Sequence, residues 1–117
     1  MAAAPPGPGF STTVEALRLR EWRLGPGQPT LVMDQFSADD FHLVVDDSAD
    51  VHVNSKDGFF YLGWFPSGRP GTEGEGWKIA VTGTAEVRGY QMSFDTETPA
   101  DIVAAAVARV LETSRRV

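Results

Sequence analysis

Apolar and polar residues alternate with a period of two in several short segments of the second half of the chain, which is typical of half-buried β-strands. Residues 51–54 and 90–94 show the cleanest alternation. Residues 59–65 form the most hydrophobic run and carry large side chains on both faces, so we expect a central strand there. Apolar, β-branched and aromatic residues predict two more strands at 41–45 and 77–82.

Turn-forming residues separate these segments. Residues 46–50 make a polar turn, and residues 66–76 make a long loop rich in glycine and proline. Asp57-Gly58 predicts a type I′ hairpin turn, because that turn needs two residues that tolerate positive φ. Hairpin connections of this kind predict that successive strands pair antiparallel, as a meander.

The C-terminal segment has the period of an amphipathic helix. Thr98 is a predicted N-cap, Pro99 suits the first helical position, and Asp101 can complete a capping box. Five apolar residues then recur at helical spacing: Val103, Ala106, Val107, Val110 and Leu111. Together, these patterns predict an α+β fold, in which an antiparallel, mostly meandering sheet of about five strands has the C-terminal helix packed on one face.

The first forty residues are less regular. Residues 1–12 are rich in Ala, Pro and Gly and are predicted to form a flexible tail, whereas 13–117 are predicted to form a single domain. Leucines alternate with arginines within residues 14–24, which favours a strand with an irregularity at Glu21. Residues 30–36 have the spacing of one or two helical turns.

Composition narrows the class of protein. The chain has 117 residues, of which 42% are hydrophobic, so we expect a globular domain. Its net charge of -6 lowers the expectation of nucleic-acid binding, since phosphates favour basic surfaces. The absence of cysteine excludes disulfides and thiolate metal sites. No apolar run approaches the ~20 residues of a membrane span, and no signal peptide is recognisable, so we expect a cytoplasmic protein without membrane contact.

The acidic residues between positions 34 and 50 are the first candidates for a metal site. Their spacing meets only part of the pattern of a calcium loop, which also needs a central glycine and a closing glutamate. His42 and His52 could pair across adjacent strands, but two histidines without a well-placed carboxylate make a poor zinc site. No Gly-x-Ser-x-Gly motif is present, and Ser55 lies in a predicted turn. The sequence therefore predicts no metal, no cofactor and no catalytic residue.

Aromatic side chains are the remaining candidates for binding. Trp64, Tyr61 and Trp77 could form an aromatic surface, as in proteins that stack bases on a sheet, or they could belong to the core. An exposed aromatic face among acidic residues would favour a protein partner. One bordered by the arginines of residues 18–23 would favour nucleic acid.

Four segments of the chain resemble a known family: Asn-Ser-Lys-Asp-Gly at 54–58, Leu-Gly-Trp-Phe-Pro at 62–66, Gly-Trp-Lys-Ile at 76–79, and Phe-Asp-Thr-Glu-Thr-Pro-Ala-Asp-Ile-Val-Ala-Ala at 94–105. Over roughly residues 41–113 the chain is similar to the SPDY domain, an actinobacterial family of unknown function that is numbered 317. The family's Ser-Pro-Asp is here Ser55-Lys56-Asp57, so a proline that would stiffen this turn is missing. The resemblance implies a sheet-plus-helix fold and a tandem arrangement of such domains, and it implies no catalytic or ligand-binding residue.

A single helix can cover only one face of the sheet, so the other face needs an explanation. Our leading hypothesis is a small non-catalytic protein-interaction module that self-associates through that face as a homodimer, for which ~800 Å² per partner would suffice. Residues 14–36 covering the same face would instead give a monomer. A nucleic-acid-binding domain that uses an aromatic sheet face is the alternative, and an uncharacterised enzyme is the third hypothesis.

Overall fold

The structure is a computed structural model in which residues 20–114 are described. One antiparallel sheet has its strands in the order of the sequence, so it is a meander. Its strands are β1 (Phe41–Val45), β2 (Val51–Ser55), β3 (Phe60–Trp64), β4 (Glu75–Val81) and β5 (Tyr90–Asp95); helix α1 (Thr30–Met33) precedes them and helix α2 (Ala100–Ser114) follows. The predicted α+β fold is confirmed, and β3 is the central strand.

The core lies between one face of the sheet and α2. Val53, Leu62 and Ile79 are direct neighbours across β2, β3 and β4, and all three are fully buried. Val103 and Val107 of α2 are fully buried against them, as the helical spacing predicted. We call this side of the sheet the covered face, and the opposite side the open face.

The turn between β2 and β3 differs from the prediction. The Gly58 N–H donates to the Ser55 carbonyl at 3.0 Å, and Gly58 alone in this turn has a positive φ, of 82°. A type I′ turn needs positive φ at two residues, so that prediction was wrong. The Asp57 carboxylate accepts hydrogen bonds from the Ser55 hydroxyl and, at 3.0 Å, from the Phe59 N–H. These local bonds stabilise the observed turn, in which only Gly58 has a positive φ.

The start of α2 is also held differently. The Thr98 hydroxyl donates to the Asp95 carboxylate at 3.1 Å instead of capping the helix. The Ala100 N–H, at the first residue of the helix, donates to the Pro26 carbonyl at 2.8 Å. The predicted Thr98 cap was therefore wrong, because a backbone carbonyl from a distant loop takes the place of a capping side chain.

The segment before the sheet packs on the same side as α2. The predicted helical turns are confirmed as α1, whose Val32 is fully buried. The Gln35 amide, which follows α1, donates to the Ala104 carbonyl of α2 at 2.9 Å. Residues 20–24 are exposed and form no strand, so the strand prediction was wrong there; residues 14–19 and the predicted tail at 1–12 lie outside the described residues. Within 20–114, no helix has the length and apolar character that crossing a bilayer requires.

Candidate functional site

The three aromatic residues that the sequence singled out do not share a surface. Trp64 and Trp77 face each other across β3 and β4 on the covered face, with ring centroids 5.7 Å apart. Trp77 is only 3% exposed, so its ring contributes to the core. Tyr61 lies on the open face, because successive side chains of a strand point to opposite sides.

Tyr61 belongs to a hydrogen-bonded chain of three side chains on the open face. Nδ1 of His52 lies 2.8 Å from the Tyr61 hydroxyl, and Nε2 of His52 lies 2.8 Å from Oδ2 of Asp46. A carboxylate can only accept, so Nε2 carries a hydrogen, and in the neutral imidazole Nδ1 accepts the Tyr61 hydrogen. The other oxygen of Asp46 accepts the N–H groups of Ser48 and Asp50, which fixes the turn between β1 and β2.

Gly63 provides the space that this chain of side chains needs. A Cβ at Gly63 would collide with the Tyr61 hydroxyl and would lie 2.8 Å from the Phe65 ring. The Phe65 ring also packs edge-on against His52, with centroids 5.9 Å apart. The absence of a side chain at Gly63 therefore leaves room for Tyr61 and Phe65 to pack over the sheet against His52.

A second polar group continues the network toward β5. Arg69 lies over the Phe65 ring, with the guanidinium carbon 5.9 Å from the ring centroid. The same Arg69 pairs with Glu75, and Glu75 accepts a hydrogen bond from Ser93. Asp46, His52, Tyr61, Arg69, Glu75 and Ser93 therefore each have a partner within the chain.

The charges of the open face follow from these bonds. The hydrogen bond from His52 holds the pKa of Asp46 below its usual value. Burial by itself would raise the pKa of Glu75, but the bonds from Ser93 and Arg69 outweigh it and leave that pKa lowered. Burial raises the pKa of the Tyr61 hydroxyl. Tyr61 thus keeps its proton at neutral pH, which suits a positioned hydrogen-bond donor better than an activated nucleophile.

The sequence does contain a signal for the contact between His52 and Asp46, although the spacing rules for metal sites do not detect it. His52 alternates with the buried Val51 and Val53, which places it on the open face, and Asp46 follows the last residue of the preceding strand. From the sequence we expected no well-placed carboxylate beside His52, but Asp46 is one. It accepts a hydrogen bond from His52 and belongs to no metal-binding cluster of the described residues. Within residues 20–114, no group of three or more His, Asp or Glu side chains is arranged to hold a metal ion.

The outer edge of β1 is the other distinctive surface. The Asp46 N–H, just after β1, donates to the carbonyl of Asp50, just before β2, and the N–H of Lys56, just after β2, donates to the carbonyl of Asp40, at 2.9 Å each. Since bonded pairs alternate along an antiparallel ladder, His42 and Val44 also bond toward β2, and the backbone groups of Phe41, Leu43 and Val45 point outward. The Phe41 N–H donates to Ser37, so among the described residues Leu43 and Val45 keep both outward groups free.

The side chains of β1 are apolar and exposed. Leu43, Val44 and Val45 are 52%, 56% and 59% exposed, although they lie on both faces of the sheet. Proteins usually protect an edge strand with lysine, proline, a bulge or a covering segment, and β1 itself has none of these among the described residues. The exposed positions of β5, at the opposite edge, are instead mostly polar: Tyr90, Gln91, Ser93 and Asp95.

A cleft of about 320 Å³ lies where the end of α2 meets the β2–β3 hairpin. Its lining is mostly apolar and includes Phe41, Phe59 and Phe60. The Ser55 hydroxyl and the Asp57 carboxylate at its rim already bond to each other. The cleft therefore offers few of the converging polar groups that usually orient a small-molecule ligand.

Comparison with known proteins gives one match. Residues 54–115 match the model of the SPDY family, a domain of unknown function (DUF317). The chain belongs to the SPDY family. No curated protein and no solved structure matches the chain.

The match covers only part of this SPDY domain. It begins near the end of β2 and includes β3, β4, β5 and α2, so it contains Tyr61 and Gly63. Asp46, His52 and the whole of β1 precede it. The exposed edge and two members of the hydrogen-bonded chain thus lie outside the span by which the family is recognised.

Proposed function

We propose that this SPDY domain is a small non-catalytic protein-interaction module that binds an extended protein segment along the outer edge of β1. The observation that carries the proposal is the exposed apolar edge, where Leu43 and Val45 present free backbone donors and acceptors. An extended segment that pairs with such an edge extends the sheet, and its backbone hydrogen bonds supply affinity.

We propose the edge of β1 as the binding surface in place of the open face that the sequence favoured. The aromatic rings of the open face, Tyr61 and Phe65, pack against His52 and Arg69 and need no outside cover. β1, in contrast, leaves its apolar side chains in water, and their burial would contribute roughly 25 cal/mol per Å².

The charges favour a protein partner over nucleic acid. Four acidic residues, Asp39, Asp40, Asp46 and Asp47, flank β1, and β1 itself carries no lysine or arginine. A phosphate backbone near these groups would be repelled. A chain without cysteine needs no oxidising compartment to fold, and we propose the cytoplasm as its location.

The test is a labelled short peptide of alternating valine and threonine, titrated with the protein and followed by fluorescence anisotropy and by amide hydrogen exchange. We expect binding to protect the Leu43 and Val45 amides, because those groups form the new ladder. A peptide with N-methylated central amides should not bind, since it cannot pair.

Two charge variants complete the test. Val44→Lys should weaken binding, because a lysine on an edge strand disfavours strand addition. Gln91→Lys places the same charge on the opposite edge and should bind as the unaltered protein does. No binding to the valine–threonine peptide, equal binding of the N-methylated one, or protection of amides outside β1 would contradict the proposal.

A further inference from the structure

We infer that the segment that pairs with β1 is β1 of a second copy of this chain, arranged antiparallel about a two-fold axis at Val44. The inference rests on the proposed function and names its partner. It would join two sheets of five strands into one continuous sheet of ten, with both copies of α2 on the same side.

The backbone groups of β1 are complementary to themselves in this arrangement. With Val44 opposite Val44, Leu43 of each copy lies opposite Val45 of the other. These are the residues whose N–H and C=O groups point outward and are free. Each Leu43–Val45 pair exchanges two hydrogen bonds, so all four groups of each copy find a partner.

Side chains support the same register. The two Val44 side chains meet on the open face, and Leu43 meets Val45 on the covered face, which covers apolar groups that are each more than half exposed in the single chain. His42 of each copy lies opposite Asp46 of the other, and an imidazole N–H can donate to a carboxylate. Opposite residues of an antiparallel pair stabilise a sheet when they are both apolar or can form a hydrogen bond.

Neighbouring registers are less favourable. An axis at Leu43 places Asp40 opposite Asp46 and Asp39 opposite Asp47, and like charges directly opposite each other are destabilising. That axis also requires the Phe41 N–H, which already donates to Ser37 at 3.0 Å. An axis at Val45 places Asp40 opposite Asp50 and the apolar Val44 opposite Asp46. Between residues 39 and 50, only the axis at Val44 avoids an acid opposite another acid, and it pairs Leu43 with Val45, whose outward backbone groups are free.

A strand of five residues makes a small interface. Interfaces that bury less than ~1,200 Å² in total are characteristic of weak, transient complexes. We therefore expect a reversible dimer whose population rises with protein concentration, with a mass that approaches twice the 12.7 kDa of one chain.

Single-cysteine variants of the full chain test the register directly, since the chain has no cysteine of its own. Val44→Cys, Leu43→Cys and Val45→Cys would each form a disulfide only if the axis lay at that residue. In the inferred register the two Cα atoms of residue 44 are ~4.5 Å apart, within disulfide reach. Gln91→Cys, on the opposite edge, is the control for random collision.

We expect Val44→Cys to form disulfide-linked dimers more than about tenfold faster than the other three variants, because only its thiols fall within bonding distance. Light scattering of the unaltered chain should show a mass that rises with concentration, and Val44→Lys should hold it at that of one chain. Circular dichroism checks that each variant is folded. We expect all of them to be folded, because the substituted positions are exposed.

Other outcomes separate this inference from the proposed function. Preferred linkage of Leu43→Cys or Val45→Cys overturns the register but leaves strand addition intact. A single-chain mass at all concentrations, with the valine–threonine peptide still bound at β1, overturns the second copy as partner and leaves the proposed function standing. A single-chain mass together with no binding of the valine–threonine peptide contradicts both this inference and the proposed function.

Discussion

The two faces of the sheet are stabilised by different means. On the covered face, fully buried side chains such as Leu62, Ile79 and Val107 pack without any polar group. On the open face, Asp46, His52 and Tyr61 are held by directed hydrogen bonds while partly exposed to water. Burial of apolar area depends little on direction, whereas a hydrogen bond depends strongly on it.

This difference has a consequence for mutations. The net contribution of one intramolecular hydrogen bond to the free energy of unfolding is only about 1 kcal/mol, because water competes for the same groups. Fully burying a large aliphatic side chain contributes roughly 1.5–3 kcal/mol, and an unpaired charge in its place costs more. We therefore expect the covered face to determine stability and the open face to determine the conformation of the β1–β2 turn.

The largest effect is expected for Val107→Asp on the covered face. The new carboxylate would be buried without a partner, so the free energy of unfolding should fall by about 4 kcal/mol. Ala105→Asp, at an exposed position of the same helix, is the matched control and should lower it by less than about 1 kcal/mol, mostly through the lower helix propensity of Asp. Urea denaturation measures both; equal stability of the two variants would mean that α2 does not pack on the sheet through Val107.

A smaller effect is expected for Gly63→Ala on the open face. The added methyl group would displace the Tyr61 hydroxyl and the Phe65 ring, and such overpacking costs about 2 kcal/mol. In the Tyr61→Phe background the same change should cost less, because one of the two obstructing groups is gone. Identical costs in both backgrounds, measured by urea denaturation, would show that the hydroxyl does not occupy this space.

Tyr61→Phe should have a still smaller effect. It removes one hydrogen bond to His52 and should lower the free energy of unfolding by about 1 kcal/mol. Tyr90→Phe removes a hydroxyl that has no hydrogen-bond partner within the described residues, so it should be neutral. If the two variants unfold at the same urea concentration, the bond between Tyr61 and His52 adds nothing to stability.

The smallest effect is expected for Thr98→Ala. The hydroxyl bonds to Asp95 at a partly exposed position instead of capping α2, so its loss should cost less than about 0.5 kcal/mol. Loss of a true N-cap costs about 1 kcal/mol. A measured cost at or above that value would show that Thr98 caps the helix in solution.

The elements of the covered face could be predicted from the sequence because their periodicity records which residues are buried. The period of two in β2 and β5 and the apolar stripe of α2 each identified the correct side. The cap at Thr98 was not predictable from local sequence, since the Pro26 carbonyl that replaces it lies in a distant loop. Local motifs describe what a segment can do, and tertiary contacts decide which partner it takes.

The candidate sites were less predictable than the fold. Assigning Trp64 and Trp77 to an aromatic surface required knowing which side α2 covers, and residue type alone does not give that. The bond between Asp46 and His52 depends on the form of the β1–β2 turn, and the turn depends on the same carboxylate. The free edge of β1 could not be assigned from the sequence, because the strand predicted within residues 14–24 would have preceded β1 in the meander and covered its edge.

The bond between the Pro26 carbonyl and the Ala100 N–H bears on how this domain could be inherited. The sequence that identifies the family begins at residue 54, yet the first turn of α2 depends on a loop that precedes it. A gene fragment that began at residue 54 would lose this carbonyl together with Val32 and Val53, both fully buried. Such a fragment should therefore be less stable than the full chain, and duplication or shuffling of a stable domain would have to carry the preceding segment along.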